Sequence, residues 1–243
     1  MKKGWKLLLV LSIIFIPSIA YAWGPLTHVY LGNEILSLVS LLPAGIYKLL
    51  KKYRDDFLYG NLMADIILGK KFLPDSKNPH TWDVAFELFD SAEKPEQQAF
   101  VYGYMSHLAA DTVAHEMYYK TELKGHAVFE FKSDSVVGRK YWLMAMSIDR
   151  GVKRRNDIFL ESTLESPFFS VKTNKRLFKG MVFFSVFTPK RMSTFMDRRL
   201  PNLDIPDTAT IKALHATSLE RMFDILSKGE CSTIIGKNPI YLK

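Results

Sequence analysis

The sequence predicts an all-α protein, and three observations carry that expectation. Long segments place apolar residues three and four positions apart, which is the spacing of one helix face. Strict alternation of apolar and polar residues, the mark of a half-buried strand, is scarce. Helix breakers separate the segments: Pro43, the stretch from Lys70 to Pro79, Lys124-Gly125, Ser166-Pro167, and the Pro-containing stretch from Thr188 to Pro206.

In chain order, helices are expected near 28–40, 43–52, 55–69, 81–90, 95–119, 126–149, 175–187 and 208–228. The first follows Thr27 and the last follows Asp207; both side chains can accept from a first-turn N–H, so both are expected N-caps. The second opens at Pro43. The third carries Leu62, Met63, Ile66 and Ile67, and the fourth begins after the Lys70 to Pro79 breaker. The fifth is apolar and aromatic, with Phe100, Val101, Tyr104, Leu108 and Val113, and the sixth starts beyond Lys124-Gly125. The seventh lies between Ser166-Pro167 and the Thr188 to Pro206 loop.

Composition narrows the class. The chain has 243 residues, 48% of them apolar and 24% charged, which suits a packed domain and excludes wholesale disorder. Thirteen Gly and eleven Pro are ordinary numbers and exclude collagen-like or low-complexity structure. Cys231 is the single cysteine, so an intramolecular disulfide and a Cys-rich zinc finger are both excluded. Any metal must be held by His, Asp, Glu and backbone groups. No internal repeat or linker-like tract divides the chain, and one domain over 23–243 is expected.

Residues 1–22 read as an export signal. Lys2, Lys3 and Lys6 precede the apolar run from Leu7 to Ile16, and Ala20-Tyr21-Ala22 is an A-x-A cleavage motif. The run is short for a membrane span of roughly 20 residues. Cleavage after Ala22 makes Trp23 the first residue and implies a periplasmic or extracellular protein. It removes three lysines and no acid, taking the formal charge from +8 to +5. That mild excess favours anionic surfaces but does not indicate nucleic-acid binding. The basic clusters Lys153-Arg154-Arg155, Lys190-Arg191 and Arg198-Arg199 read as solvated helix ends or loops.

The histidines carry the chemistry. His107, Asp111 and His115 are four residues apart and stack on one helix face. That face lies within an apolar, aromatic helix, where an Asp between two His is costly without a cation. Imidazole nitrogens and carboxylate oxygens are normal zinc donors. His126 and Glu130 repeat the four-residue step, although such a pair alone also occurs as a surface salt bridge. Upstream lie Asp65, inside an apolar helix, His80, after a Pro-rich stretch, and His28. His215 has no acidic partner in the pattern and reads as structural. A free α-amine at Trp23 is easily deprotonated by a metal and can chelate together with its own carbonyl oxygen.

Taken in order, Trp23, His28, Asp65, His80, His107-x3-Asp111-x3-His115 and His126-x3-Glu130 resemble the ligand pattern of the bacterial zinc-dependent phospholipase C family. Single-strand-specific zinc nucleases share its trinuclear zinc site and helical fold. The resemblance spans 23–130. It implies three zinc ions: one on Trp23 and His28, with Asp111 bridging to a second; the second completed by Asp65, His80 and His107; the third on His115, His126 and Glu130. It also implies that Asp65 doubles as a base that orients the attacking water. Glu130 as the final acid is similar to the phospholipases, and the five-residue step from Trp23 to His28 is similar to the nucleases. Ile66 stands near where choline-selective enzymes carry an aromatic. The expected activity is metal-assisted hydrolysis of phospholipid at a membrane surface, giving diacylglycerol and a phospho-headgroup. A zinc nuclease and a non-catalytic zinc-binding protein of the same fold remain the alternatives. No protein partner is implied.

Overall fold

A computed structural model describes residues 23–66, 78–121, 126–138, 140–164 and 205–239. Their regular structure is helical, with no strand among the described residues. The α-helices are α1 (Pro25–Ser37), α2 (Ala44–Lys52), α3 (Arg54–Ile66), α4 (Trp82–Asp90), α5 (Pro95–Thr121), α6 (His126–Val136), α7 (Lys140–Ser147), α8 (Arg150–Thr163) and α9 (Thr208–Lys228). Short 3-10 turns follow α1 and α9. Among the described residues no helix is long and apolar enough to cross a membrane.

The axis of the fold is α5, which packs most extensively against α3 and α9. Its 27 residues span roughly 40 Å at the usual helical rise. Ala99, Phe100, Val101, Tyr104, Leu108, Ala109, Val113 and Ala114 are buried around its whole circumference, as befits a helix enclosed by others. The crossing with α3 is made through two glycines. A Cβ on Gly60 would stand 2.0 Å from the Phe100 carbonyl oxygen, and one on Gly103 would stand 2.0 Å from that of Phe57. Only glycine permits so close a backbone approach. Helix α1 lies across α3 and also meets α9, α7, α6 and α5.

Several boundaries differ from expectation. Helix α1 starts at Pro25, earlier than residue 28, because Pro suits the first helical turn; its cap is Gly24 and not Thr27. The helix expected over 126–149 is two helices, α6 and α7, interrupted around Gly138. Helix α8 was not expected. Asp149 caps it by accepting from the N–H groups of Gly151 and Val152 at 2.7 and 3.2 Å. Its inner face includes Asn156, which donates to buried Asp56 on α3, and the neighbouring Arg155 pairs with the same carboxylate. Asp207 caps α9 as expected, accepting from Thr210 N–H at 2.8 Å. The helix expected over 175–187 and the leader lie outside the described residues.

Candidate metal centre

The α3–α5 crossing sets the first ligand pair. Asp65 ends α3 and His107 and Asp111 face it from α5. His80 comes from the turn before α4, which is fixed at three points. The Asn78 side chain accepts from His80 N–H at 3.1 Å, Thr81 caps α4 through Val84 N–H at 3.4 Å, and the Tyr104 hydroxyl donates to the Pro79 carbonyl. His28 arrives from the start of α1, its ring stacked on that of His107 at 3.7 Å between centroids.

These five side chains are all buried. The Nε2 atoms of His28 and His107 lie 3.1 and 3.0 Å from Asp111, the first on Oδ1 and the second on Oδ2. His80 Nε2 is 3.2 Å from Asp65 Oδ1, 3.5 Å from Asp111 Oδ2 and 3.2 Å from His107 Nε2. Two groups result, His28–His107–Asp111 and Asp65–His80–His107, each with its donor atoms within 4.8 Å of one another. His107 belongs to both.

The chemistry of this donor set fits a cation. His107 Nδ1 is 2.9 Å from the Asn61 carbonyl oxygen, which only accepts, so Nδ1 carries the proton. Without a second proton the ring turns its Nε2 lone pair toward two carboxylates and a second imidazole nitrogen, an arrangement that is repulsive unless a proton or a cation supplies positive charge among them. His28 Nε2 and Asp111 Oδ2 are buried and approach partners, yet make no hydrogen bond of proper geometry, so they converge on shared space. Zinc accepts this all-N/O set, and the Asn61 contact is the kind of outer support that orients a metal-binding imidazole. Burial opposes protonation of His107, but Asp111 and Asp65 outweigh it and hold its pKa above the ordinary value. Burial and the neighbouring His107 push His28 down. Burial alone would raise Asp111, yet His107 and His28 hold it well below the usual carboxylate range.

Trp23 is wholly buried beside this cluster. Its backbone nitrogen is 3.4 Å from Asp111 Oδ1, the oxygen that His28 also faces. Its indole N–H donates to the Ala110 carbonyl at 2.9 Å and to the Ser218 hydroxyl at 3.1 Å. The ring packs on Phe129 and on His215. His215 is buried and outside both donor groups; burial and nearby His28 push its pKa to about 4, so the ring is neutral.

His115 is buried one turn beyond Asp111, and Glu130 lies half-buried on α6. His126 opens α6, but its side chain lies outside the described residues, and so does any three-residue group with His115 and Glu130. Three supporting residues escaped the sequence reading, Asn61, Ser218 and Asp134, whose carboxylate accepts from the Leu26 and Thr27 N–H groups, and Tyr104 was read only as part of an apolar helix. Asp134 had a signal, since 126, 130 and 134 continue one four-residue stripe. Asn61 acts through its main chain, which no side-chain pattern reveals.

The zinc-dependent phospholipase C family model matches residues 27–173. No curated protein and no solved structure matches the chain. The matched segment contains α1 from Thr27 onward, α2 to α8 and all of the gathered His and Asp side chains, while Trp23 and α9 lie beyond its ends. With more than half of the 243 residues covered and a buried His–Asp centre of zinc-binding type, the chain belongs to the zinc-dependent phospholipase C family.

Proposed function

We propose that the protein is an exported phospholipase C that hydrolyses glycerophospholipids at a membrane surface, giving diacylglycerol and a phospho-headgroup. One observation carries the reading: Asp111 divides its two oxygens between two sets of buried donors, His28 and the Trp23 nitrogen on one side, His107 and His80 on the other. That is the placement required of a carboxylate shared by two ions.

Trp23, His28 and Asp111 would hold one zinc, and Asp65, His80, His107 and Asp111 a second. His115, His126 and Glu130 would hold a third. Zinc in such a site acidifies water and neutralises charge that builds on phosphodiester oxygens. The chain's own residues supply the rest. Asn61 fixes the His107 ring so that Nε2 faces inward. Asp65, 7% exposed, is the least enclosed of the five clustered side chains, so its carboxylate can orient the attacking water and take its proton. The Trp23 indole, held by Ala110 and Ser218, aims the main-chain nitrogen at Asp111. Removal of residues 1–22 would turn that nitrogen into the free amine of the mature chain, in the periplasm or outside the cell.

The test is hydrolysis by the mature protein beginning at Trp23, with phospholipid vesicles and single-stranded DNA assayed at equal zinc. EDTA-sensitive release of diacylglycerol without nucleotides is expected. Release of nucleotides alone would replace the lipase by a nuclease with the same ligands. Zinc binding with no turnover of either would make the protein a binder. A precursor retaining its leader is expected to bind less zinc, and full activity of that precursor would sink the role of Trp23.

A further inference from the structure

Helix α1 has no cap of its own. Gly24, at the cap position, offers no side chain, and Pro25 has no N–H. The N–H groups of Leu26 and Thr27 are then buried first-turn donors that need an acceptor. Asp134, from α6 and 107 residues away in sequence from Thr27, supplies it. Its Oδ2 accepts from Leu26 N–H at 3.3 Å, and its Oδ1 accepts from Thr27 N–H at 2.9 Å and from the Thr27 hydroxyl at 3.0 Å. The fit is close enough to restrict residue 24. A Cβ there would fall 2.4 Å from Asp134 Oδ1, so the glycine makes room for the carboxylate.

The segment capped in this way is the one whose ends reach Asp111. Trp23 precedes the capped turn and His28 follows it, and the first hydrogen bond of the helix runs from His28 N–H to the Gly24 carbonyl at 3.2 Å. Both the Trp23 nitrogen and His28 Nε2 meet Asp111 Oδ1, at 3.4 and 3.1 Å. Asp134 belongs to neither donor group, and both its oxygens are engaged by α1. We propose that Asp134 is a positioning residue, which clamps the start of α1 from α6 and thereby sets Trp23 and His28 at the spacing that one zinc ion requires. This rests on the reading that Trp23 and His28 hold zinc.

The experiment measures zinc bound per chain against stepped free zinc, using mature protein beginning at Trp23. The variants are Asp134→Ala, Asp134→Asn and Thr27→Val, each also made with one glycine added before Trp23. Asp134→Ala is expected to move one zinc equivalent to roughly 10- to 100-fold higher free zinc, the usual cost of losing outer support at a metal site, and to leave the others in place. Asp134→Asn keeps an oxygen acceptor and is expected to recover most of that loss. Thr27→Val removes one of the three contacts and is expected to fall between Asp134→Asn and Asp134→Ala; it keeps the test open if Asp134→Ala does not fold. With the added glycine the same equivalent is already weakened, and Asp134→Ala is expected to add nothing. Unchanged zinc binding in folded Asp134→Ala, equal weakening of every equivalent, or additive losses with the extension would each overturn the proposal. A parent protein that binds no zinc would overturn the reading of the centre itself, and the proposal with it.

Discussion

Gly60 and Gly103 face each other across the α3–α5 crossing, each leaving space that the other helix's main chain fills. This contact sets the distance between Asp65, five residues after the first glycine, and His107, four after the second. Alanine normally strengthens a helix interior relative to glycine by about 0.5–1 kcal/mol. Here the sign inverts. Gly60→Ala or Gly103→Ala drives a methyl into a carbonyl oxygen and is expected to cost at least ~3 kcal/mol, the upper range for overpacking. Urea unfolding would read this as a lowered midpoint, and zinc binding should weaken with it. A neutral or stabilising alanine would show that the helices can part without consequence.

Asp111 places one oxygen by His28 and the Trp23 nitrogen and the other by His107 and His80, so it would serve both ions, whereas His28 and His80 would each serve one. Asp111→Ala is therefore expected to remove more zinc per chain than His28→Ala or His80→Ala. Elemental analysis of the three purified variants settles the order. Equal losses would argue against a shared ligand.

Ser218 holds the Trp23 indole from α9, beyond the segment matched by the family model. Ser218→Ala leaves the indole its bond to Ala110 and is expected to cost about 0.5–1.5 kcal/mol, the worth of one net hydrogen bond. Thermal melting of parent and variant would measure it. A loss several times larger would mean that Ser218 supports more than the ring.

Burial pushes the Asp134 carboxyl up to about 7, against the hydrogen bonds from Thr27 and Leu26 that favour its ionised form. In an unfolded chain the same group titrates near ~4. Between those two values the folded state holds the extra proton, so this residue's contribution to stability falls as pH rises. The slope is about 1.4 kcal/mol per pH unit for one proton. Zinc-free Asp134→Asn is expected to lack that slope between pH 4 and 7, seen as the difference between parent and variant in urea titrations. Parallel pH curves for the two proteins would refute the assignment.

The sequence made the helical class and the gathered His and Asp side chains legible for different reasons. Helix periodicity is local, so α2, α4, α5 and α9 were readable within a residue or two at most ends. Helix α8 was not, because its inner face spends a position on Asn156, whose value lies in a contact with Asp56 one hundred residues earlier. The four-residue His–Asp stripe on α5 could be read because both partners sit on one helix. The bond from Asp134 to α1 could not, since it joins distant segments and replaces the expected Thr27 cap with a carboxylate from elsewhere. Gly60 and Gly103 carry no local signal of their role, which exists only where the two helices cross.

The tie between Trp23 and Ser218 joins residues 195 positions apart. A ribosome delivers the tryptophan long before the serine. Until α9 exists, the indole lacks one wall and one hydrogen-bond partner, and the main-chain nitrogen beside Asp111 is held only through the bond to Ala110. A chain cut short before α9 would carry every clustered His and Asp yet lack one fastening for Trp23. Seating of Trp23 thus waits on the synthesis of α9, and a copy terminated before that helix is left with a looser Trp23 beside Asp111.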